Sequence, residues 1–297
     1  MRGGLALHKP KGISSFDVIR RLRPIIGKKT KIGHAGTLDP AAQGLLLILV
    51  GEATRVQNLL KDLDKEYEAV VILGVRTDTL DAEGKVLEEV EVPPLDEKPI
   101  RSVLDRLKGE RMQQPPRYSA LKLNGRRAYE MARAGEEFEL HERRVTIYEI
   151  ELLSWQNPLL EIRTRVSSGT YIRSLAREIG EELGLPASLA ALCRTRIGRF
   201  EIKDALRLEG ITIESIRKAM IPIEELLSHL PQAEVDTSSV LMLLQGKPLS
   251  QGIDPELLDA PSSVVFSRDR RQAFLCEPRD GKLWSRRLIY NNGESVG

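Results

Sequence analysis

The 297-residue chain has two cysteines, four histidines and 4% aromatic residues, and its longest apolar run is the six residues Leu45–Val50. Six is far short of the ~20 apolar residues of a membrane-spanning helix. The chain opens with Met1, Arg2 and two glycines, without the apolar segment of a secretory signal. Cys193 and Cys276 make no disulfide framework and read as reduced residues of a cytosolic protein. The histidines (8, 34, 141 and 229) and the cysteines never approach zinc-ligand spacing, so no metal is expected. Gly27-Lys28-Lys29-Thr30 has one lysine too many for a phosphate loop, and Leu22 stands where the upstream glycine belongs. Gly33 and Gly36 do not make the dinucleotide pattern, and no Gly-x-Ser-x-Gly elbow is present.

What is there suits a folded, water-facing protein: 41% hydrophobic and 30% charged residues, enough for one large domain with or without a small one. The net charge of +2 hides an uneven distribution. Residues 1–61 carry 11 basic against 3 acidic side chains and residues 111–133 carry 6 against 1. Residues 78–110 reverse this with 5 against 10, as do residues 208–267 with 3 against 9. Basic segments spaced by acidic ones suit a surface that faces a polyanion. Solvated charged faces without a partner would read the same way.

Strand and helix signals alternate along the chain. Ser14 and Asp17 form a capping-box pattern ahead of the apolar stripe Val18, Ile19, Leu22 and Ile26, which Gly27 closes. Leu45–Val50 reads as a buried strand, and Val56, Leu59, Leu60 and Leu63 have the spacing of an amphipathic helix. Lys65–Gly74 is strand-like, Asp81–Gly84 a turn, and Ile100–Leu107 a helix. Pro115-Pro116 interrupts regular structure, and Asn124-Gly125 marks a hairpin turn. Leu160, Ile162, Thr164 and Val166 alternate as a half-buried strand, followed by a helical stripe from Ile172 to Leu183 that ends at Gly184. The expectation is an α+β fold with a mixed, mainly antiparallel sheet. Texture changes after Leu230-Pro231, where a short helix (239–245) precedes strand-like pieces at 263–267, 272–276 and 284–290. This divides the chain into residues 1–231 and a small β-rich domain over 232–297.

The chemistry concentrates in Lys31-Ile32-Gly33-His34-Ala35-Gly36-Thr37-Leu38-Asp39-Pro40. Two glycines and an Asp-Pro pair imply an irregular loop, leading into the buried strand. Lys28, Lys29 and Lys31 flank its single carboxylate, and nearby positive charge favours the ionised form. Such a group serves as a nucleophile or base rather than as a proton donor.

Gly-His-Ala-Gly-Thr-Leu-Asp-Pro at 33–40, with Gly44, resembles the signature of the TruB-type pseudouridine synthases. Further stretches resemble the family in the same order: His8-Lys9-Pro10-Lys11-Gly12, Asp64–Glu68, Arg76–Gly84, Pro115–Lys122, Ser168–Leu175 and Ala191–Arg194. They span residues 8 to about 207. Arg76-Thr77-Asp78-Thr79 and Tyr118-Ser119-Ala120-Leu121-Lys122 bring the chain nearer the bacterial tRNA enzymes than their guide-RNA-dependent relatives.

The resemblance implies isomerisation of uridine to pseudouridine in the T loop of tRNA, at tRNA position 55, by base flipping and without cofactor or metal. It assigns the essential carboxylate to Asp39, acting by covalent attack at C1′ or by removal of a sugar proton. Tyr67 is implied to stack on the uracil, Arg173 to pair with Asp39, and Tyr171 to touch substrate. Leu192 is implied to line the uracil pocket, and His34 to fill the space that the flipped base leaves. Lys9, Pro10 and Gly12 are implied to buttress the site. The 232–297 segment resembles, through Leu243–Leu249 and the closing strands, the PUA-like RNA-binding module of the family, and a structural appendage is the alternative. Val264–Tyr290 supplies seven basic residues for the tRNA stem. A cytoplasmic monomer with tRNA as partner is expected, a non-catalytic RNA-binding protein being the rival reading.

Overall fold

The structure, a computed structural model, describes residues 1–119, 121–123 and 125–292. It opens with strand β1 (Gly3–Lys9) and helix α1 (Ser15–Ile26). The capping box forms as the sequence predicts: Asp17 N donates to Ser14 Oγ at 3.1 Å and Ser14 N to Asp17 Oδ2 at 2.9 Å. Strands β2 (Ile32–Ala35) and β3 (Gln43–Val50), helix α2 (Gln57–Lys61) and strand β4 (Lys65–Leu73) follow. The hairpin β5 (Val75–Thr77) and β6 (Val86–Glu89) leads to α3 (Glu97–Arg106) and β7 (Gly109–Gln113). A small β8 (Lys122–Leu123), β9 (Arg126–Arg127) pair and α4 (Ala128–Arg133) precede the long antiparallel pair β10 (Arg143–Gln156) and β11 (Leu159–Val166). Of the turn predicted between β8 and β9, Asn124 lies outside the described residues, as does Ala120 of the Tyr118–Lys122 stretch. Helix α5 (Ile172–Leu183), strand β12 (Ala187–Ile197), the short β13 (Phe200–Glu201) and β14 (Leu206–Arg207), and helices α6 (Ile213–Lys218) and α7 (Ile223–Leu226) complete this part.

The main sheet runs β14-β1-β3-β12-β4-β11-β10-β7, with β2 on β3 and β13 on β12. Pairings are antiparallel except β1–β14 and β3–β12, so the fold is α+β with a mixed, mainly antiparallel sheet. From Leu45 to Val50 strand β3 is apolar without interruption because both its faces are covered. Leu46, Ile48 and Val50 meet α1, while Leu45, Leu47 and Leu49 belong to a second apolar cluster. Strands β4 and β11 alternate instead. Their inward residues, such as Ala69, Val71, Leu160 and Ile162, pack under α3 and α5. Their outward residues carry ion pairs such as Arg163–Glu68 and Arg196–Glu66.

The last part is a four-stranded sheet of β15 (Gln232–Val235), β16 (Ser263–Ser267), β17 (Gln272–Arg279) and β18 (Lys282–Asn291), with α8 (Thr237–Leu244) and α9 (Pro255–Asp259). Alternation divides its apolar residues. Val265, Phe274 and Cys276 share a cluster with Val240 of α8 and Leu257 of α9. Val264, Phe266, Leu275 and Ile289 join the cluster of Leu45, Leu47 and Leu49 from β3. Arg55 Nη1 also donates to the Ile289 carbonyl at 2.9 Å, and Arg287 Nη1 to that of Arg55 at 2.8 Å. No described helix is long and apolar enough to cross a membrane.

Two expectations differ from the fold. The Val56–Leu63 stripe is a 3-10 turn over Gly51–Val56 followed by the five residues of α2; Val56 and Leu60 are buried as the spacing requires, but regular helix does not continue to Leu63. Within the predicted loop, Ile32–Ala35 is a strand, because β3 offers it a complete antiparallel edge and only Gly36 onward departs from it.

That departing loop is held by its carbonyls. Arg194, 1% exposed, donates to Leu45 O at 2.8 Å, Gly36 O at 3.0 Å and Thr37 O at 3.4 Å. Lys9, fully buried, donates to Ile13 O at 2.7 Å, Pro10 O at 3.0 Å and Pro40 O at 3.4 Å. The Ser15 hydroxyl receives Leu38 N at 2.9 Å and donates to Leu38 O at 3.1 Å. Lys65 closes the α2 end by donating to the Lys61 and Leu63 carbonyls. Burial brings the amino group of Lys9 down to about 8, against an opposing pull from Asp39, and brings that of Lys65 to about 8, helped by Arg194.

Two outcomes follow from these supports. Gly44 has φ +115°, and a Cβ there would stand 2.4 Å from the Arg194 carbonyl oxygen. Gly44→Ala should therefore cost about 2–4 kcal/mol in urea unfolding. The buried lysines bind a proton less readily when folded than the ~10.4 of an unfolded lysine allows. Between pH 8 and about 10.4 the unfolded chain binds more protons, so stability rises with pH through that window; the penalty is complete below it. Lys65→Met should remove up to one proton from that slope, measured by urea titrations across pH 7.5–10.

Candidate active site

Asp39 leaves the Gly36–Pro40 loop at the rim of a cavity of about 520 Å³, within the ~300–1,000 Å³ of small-molecule pockets. The same cavity is lined by Tyr67, Tyr171, Arg173 and Leu192. Five of the six residues singled out in the sequence thus meet here from four separate stretches of chain. The alternation of β4 that puts Ala69 and Val71 in the core puts Tyr67 and Lys65 where core gives way to cavity. Leu192 stands beside Ala69 on the neighbouring β12.

Tyr171 and Arg173 come from the start of α5. Tyr171 is its N-cap and offers no side-chain cap; Gln113 of β7 supplies one, its Oε1 accepting from Tyr171 N at 2.8 Å. Ser174 Oγ donates to Gln114 O at 2.7 Å, tying the same turn to the same segment. The Arg143 guanidinium lies 5.6 Å from the Tyr171 ring centroid. Burial pushes the Tyr171 hydroxyl above the ordinary phenol range, with Arg143 opposing, so it is a neutral donor at pH 7.

A cation in the first turn of a helix is electrostatically misplaced unless acidic groups hold it. For Arg173, two do. Nη2 pairs with Asp39 Oδ2 at 2.9 Å and Nη1 with Asp81 Oδ2 at 3.3 Å. The Tyr118 and Thr79 carbonyls accept from the same nitrogens at 2.9 and 3.1 Å. The guanidinium is 8% exposed and Asp81 is 13%, whereas Asp39 is 46% exposed. Asp81 is occupied further, its Oδ1 accepting from Thr79 Oγ1 at 2.6 Å and Glu83 N at 3.2 Å. One carboxylate is therefore locked and the other is aimed outward.

His34 is not among the cavity residues. It sits on β2, with its carbonyl accepting from Gln57 Nε2 at 2.8 Å and its Nδ1 buried without a hydrogen-bond partner among the described residues. Burial, helped by Arg194, lowers its pKa, so the ring is neutral at pH 7. A larger cleft of about 1000 Å³ between the β5–β6 hairpin and residues 114–117 contains none of the six, and its walls mix both charge signs with apolar side chains. Sequence reasoning did not single out Asp81, Lys65 or Arg194. Asp81 lies in an acidic stretch that reads as charge balance, and the two cations act through backbone carbonyls, which no side-chain pattern encodes.

Known proteins match closely. The sequence model for the TruB family pseudouridylate synthase N-terminal domain matches residues 23–172. A tRNA pseudouridine synthase B of Chromohalobacter salexigens is 44% identical over 97% of this chain and 94% of its own. One of Aquifex aeolicus is 40% identical over 97% and 100%, and one of Clostridium tetani 41% over 87% and 88%. The crystal structure of an archaeal box H/ACA sRNP Nop10–Cbf5 complex contains a chain that superposes with TM-score 0.70 at 25% identity, covering 98% of this chain and 86% of that one. With the family's sequence model spanning half of it and relatives at 40–44% identity over most of its length, the chain belongs to the TruB family of pseudouridylate synthases.

Proposed function

We propose that the protein isomerises uridine to pseudouridine in tRNA, at position 55 of the T loop, with Asp39 as its catalytic group. The observation that carries this reading is the half-exposed Asp39 carboxylate, paired on one oxygen to a buried arginine in a cavity that two tyrosines also line. In the reaction the N1–C1′ bond breaks and uracil departs as a resonance-stabilised anion. The base turns, C5 bonds to C1′, the C5 proton is lost and N1 gains one. No water has to be activated, so the second working carboxylate of a hydrolytic glycosidase has no counterpart to supply. Asp39 acts on the sugar by adding to C1′ or by taking a sugar proton, and either step needs the ionised form. Arg173 holds Asp39 in place, Tyr67 offers a stacking face to uracil, Tyr171 and Leu192 shape the pocket, and His34 supports the extruded conformation. A stacked uridine cannot reach this cavity, so it must be flipped out at a cost of a few kcal/mol.

The division of labour belongs to the same proposal. Residues 1–231 carry catalysis and residues 232–297 form a PUA-like module that grips the tRNA stem, the whole working as a cytoplasmic monomer.

Incubation with an unmodified tRNA transcript should yield pseudouridine at position 55 on chemical mapping. Tight binding without product there would overturn the assignment. Asp39→Asn should abolish turnover and leave tRNA affinity within about threefold. Arg173→Lys keeps the charge but loses the two-pronged grip, so kcat should fall by about 10²-fold with KM little changed.

A further inference from the structure

On the far side of β2 from the Gly36–Pro40 loop lies an open groove of about 400 Å³, lined by Arg23, Lys28, Lys29 and Lys31 together with Thr54 and Gln57. No carboxylate lines it. The three lysines are exposed, and among the described residues none of the four cations makes an ion pair. Arginines on the open face of the main sheet behave differently, Arg163, Arg165 and Arg196 each meeting a carboxylate within 3.0 Å. The negative end of α1 accounts for Arg23 and Lys28 but not for Lys29 and Lys31 beyond it. Backbone bonds hold the segment in place: Gly27 N donates to Arg23 O at 3.0 Å, Arg23 Nη1 to Lys28 O at 3.3 Å, and Gly51 N to Lys31 O at 2.8 Å. Four neighbouring like charges are thus kept together with no ion-pair partner among the described residues to neutralise them.

Two elements connect this groove to the catalytic cavity. From Lys31 the chain passes through β2 to Asp39, eight residues and so at most about 28 Å away. Gln57 borders the groove at one end of α2, and Lys61, one turn or about 6 Å further on, lines the cavity. We propose that the groove binds phosphates of the RNA backbone flanking the uridine that enters the cavity, extending the RNA track beyond the active site along β2 and α2. The proposal rests on the uridine-isomerising reading above. It assigns Lys28, Lys29 and Lys31 to affinity and leaves the chemical step to Asp39 and its neighbours.

The triple variant Lys28→Gln, Lys29→Gln, Lys31→Gln tests this against a control that removes the same charge from the acidic region, Lys85→Gln, Lys98→Gln, Lys108→Gln. With unmodified tRNA at about 0.15 M salt, the groove variant should raise Kd at least about tenfold, while the single-turnover rate at saturating RNA stays within about twofold. Each lost phosphate contact removes ~0.7–0.9 from the slope of log affinity against log salt, so its magnitude should fall by about two to three. The triple Lys→Arg variant should retain the original Kd. Unchanged affinity and slope, or an equal loss in the control, would overturn the proposal. Absence of pseudouridine with the unaltered protein would count against the reaction instead, and the comparison of Kd and salt slope would still decide the groove.

Discussion

Everything at the Asp39 cavity depends on a loop whose own carbonyl oxygens have been taken up by buried cations. A turn of this kind has unpaired backbone acceptors that would ordinarily be left to water, and a watered loop moves. Arg194 donates to the carbonyls of residues 36, 37 and 45, and Lys9 to those of residues 10, 13 and 40, so the chain is gripped before and after Asp39. The cost is two positive charges out of solvent, compensated by fixed dipoles and, for Lys9, by the charge of nearby Asp39.

Upon that platform Arg173 connects three parts of the molecule that are distant in sequence. It reaches Asp39 from the platform, Asp81 from the hairpin turn, and the carbonyl of Tyr118 at the start of the basic 117–133 segment. The helix that carries it is itself capped by Gln113, from the strand that leads into the same segment. Displacement of that segment would be felt at the guanidinium without any contact to the carboxylate itself. The geometry of the Asp39 carboxylate and the position of the chain at Tyr118 are thus coupled through one guanidinium.

Much of this was legible in the sequence, for identifiable reasons. The Ser14–Asp17 box, the β11 alternation and the α5 stripe ending at Gly184 are local patterns, and they came out as predicted. The uninterrupted β3 announced a strand covered on both faces. Strand β12 was not legible, because its residues do not alternate and it carries a buried arginine, which on the page looks like an exposed position. In the site, the residues that meet in the cavity were found through the motifs in which they stand. Asp81 was missed because a carboxylate's role here comes from a cation ninety-two residues later, and Lys65 because its partners are carbonyls, which every residue has.

The shared cluster behind β3 has a bearing on how the chain is made. Leu45, Leu47 and Leu49 share one apolar cluster with Val264, Phe266, Leu275 and Ile289, which lie more than two hundred residues downstream. At ~5–20 residues per second, a ribosome takes roughly 10–50 s to travel from Val50 to Ile289. Through that interval this cluster lacks the side chains of its last strands, however early the opposite face of β3 has docked on α1. The last strands therefore complete a cluster begun at β3, and a chain stalled before them would leave that cluster short of its final side chains and present apolar surface to the quality-control machinery of the cell.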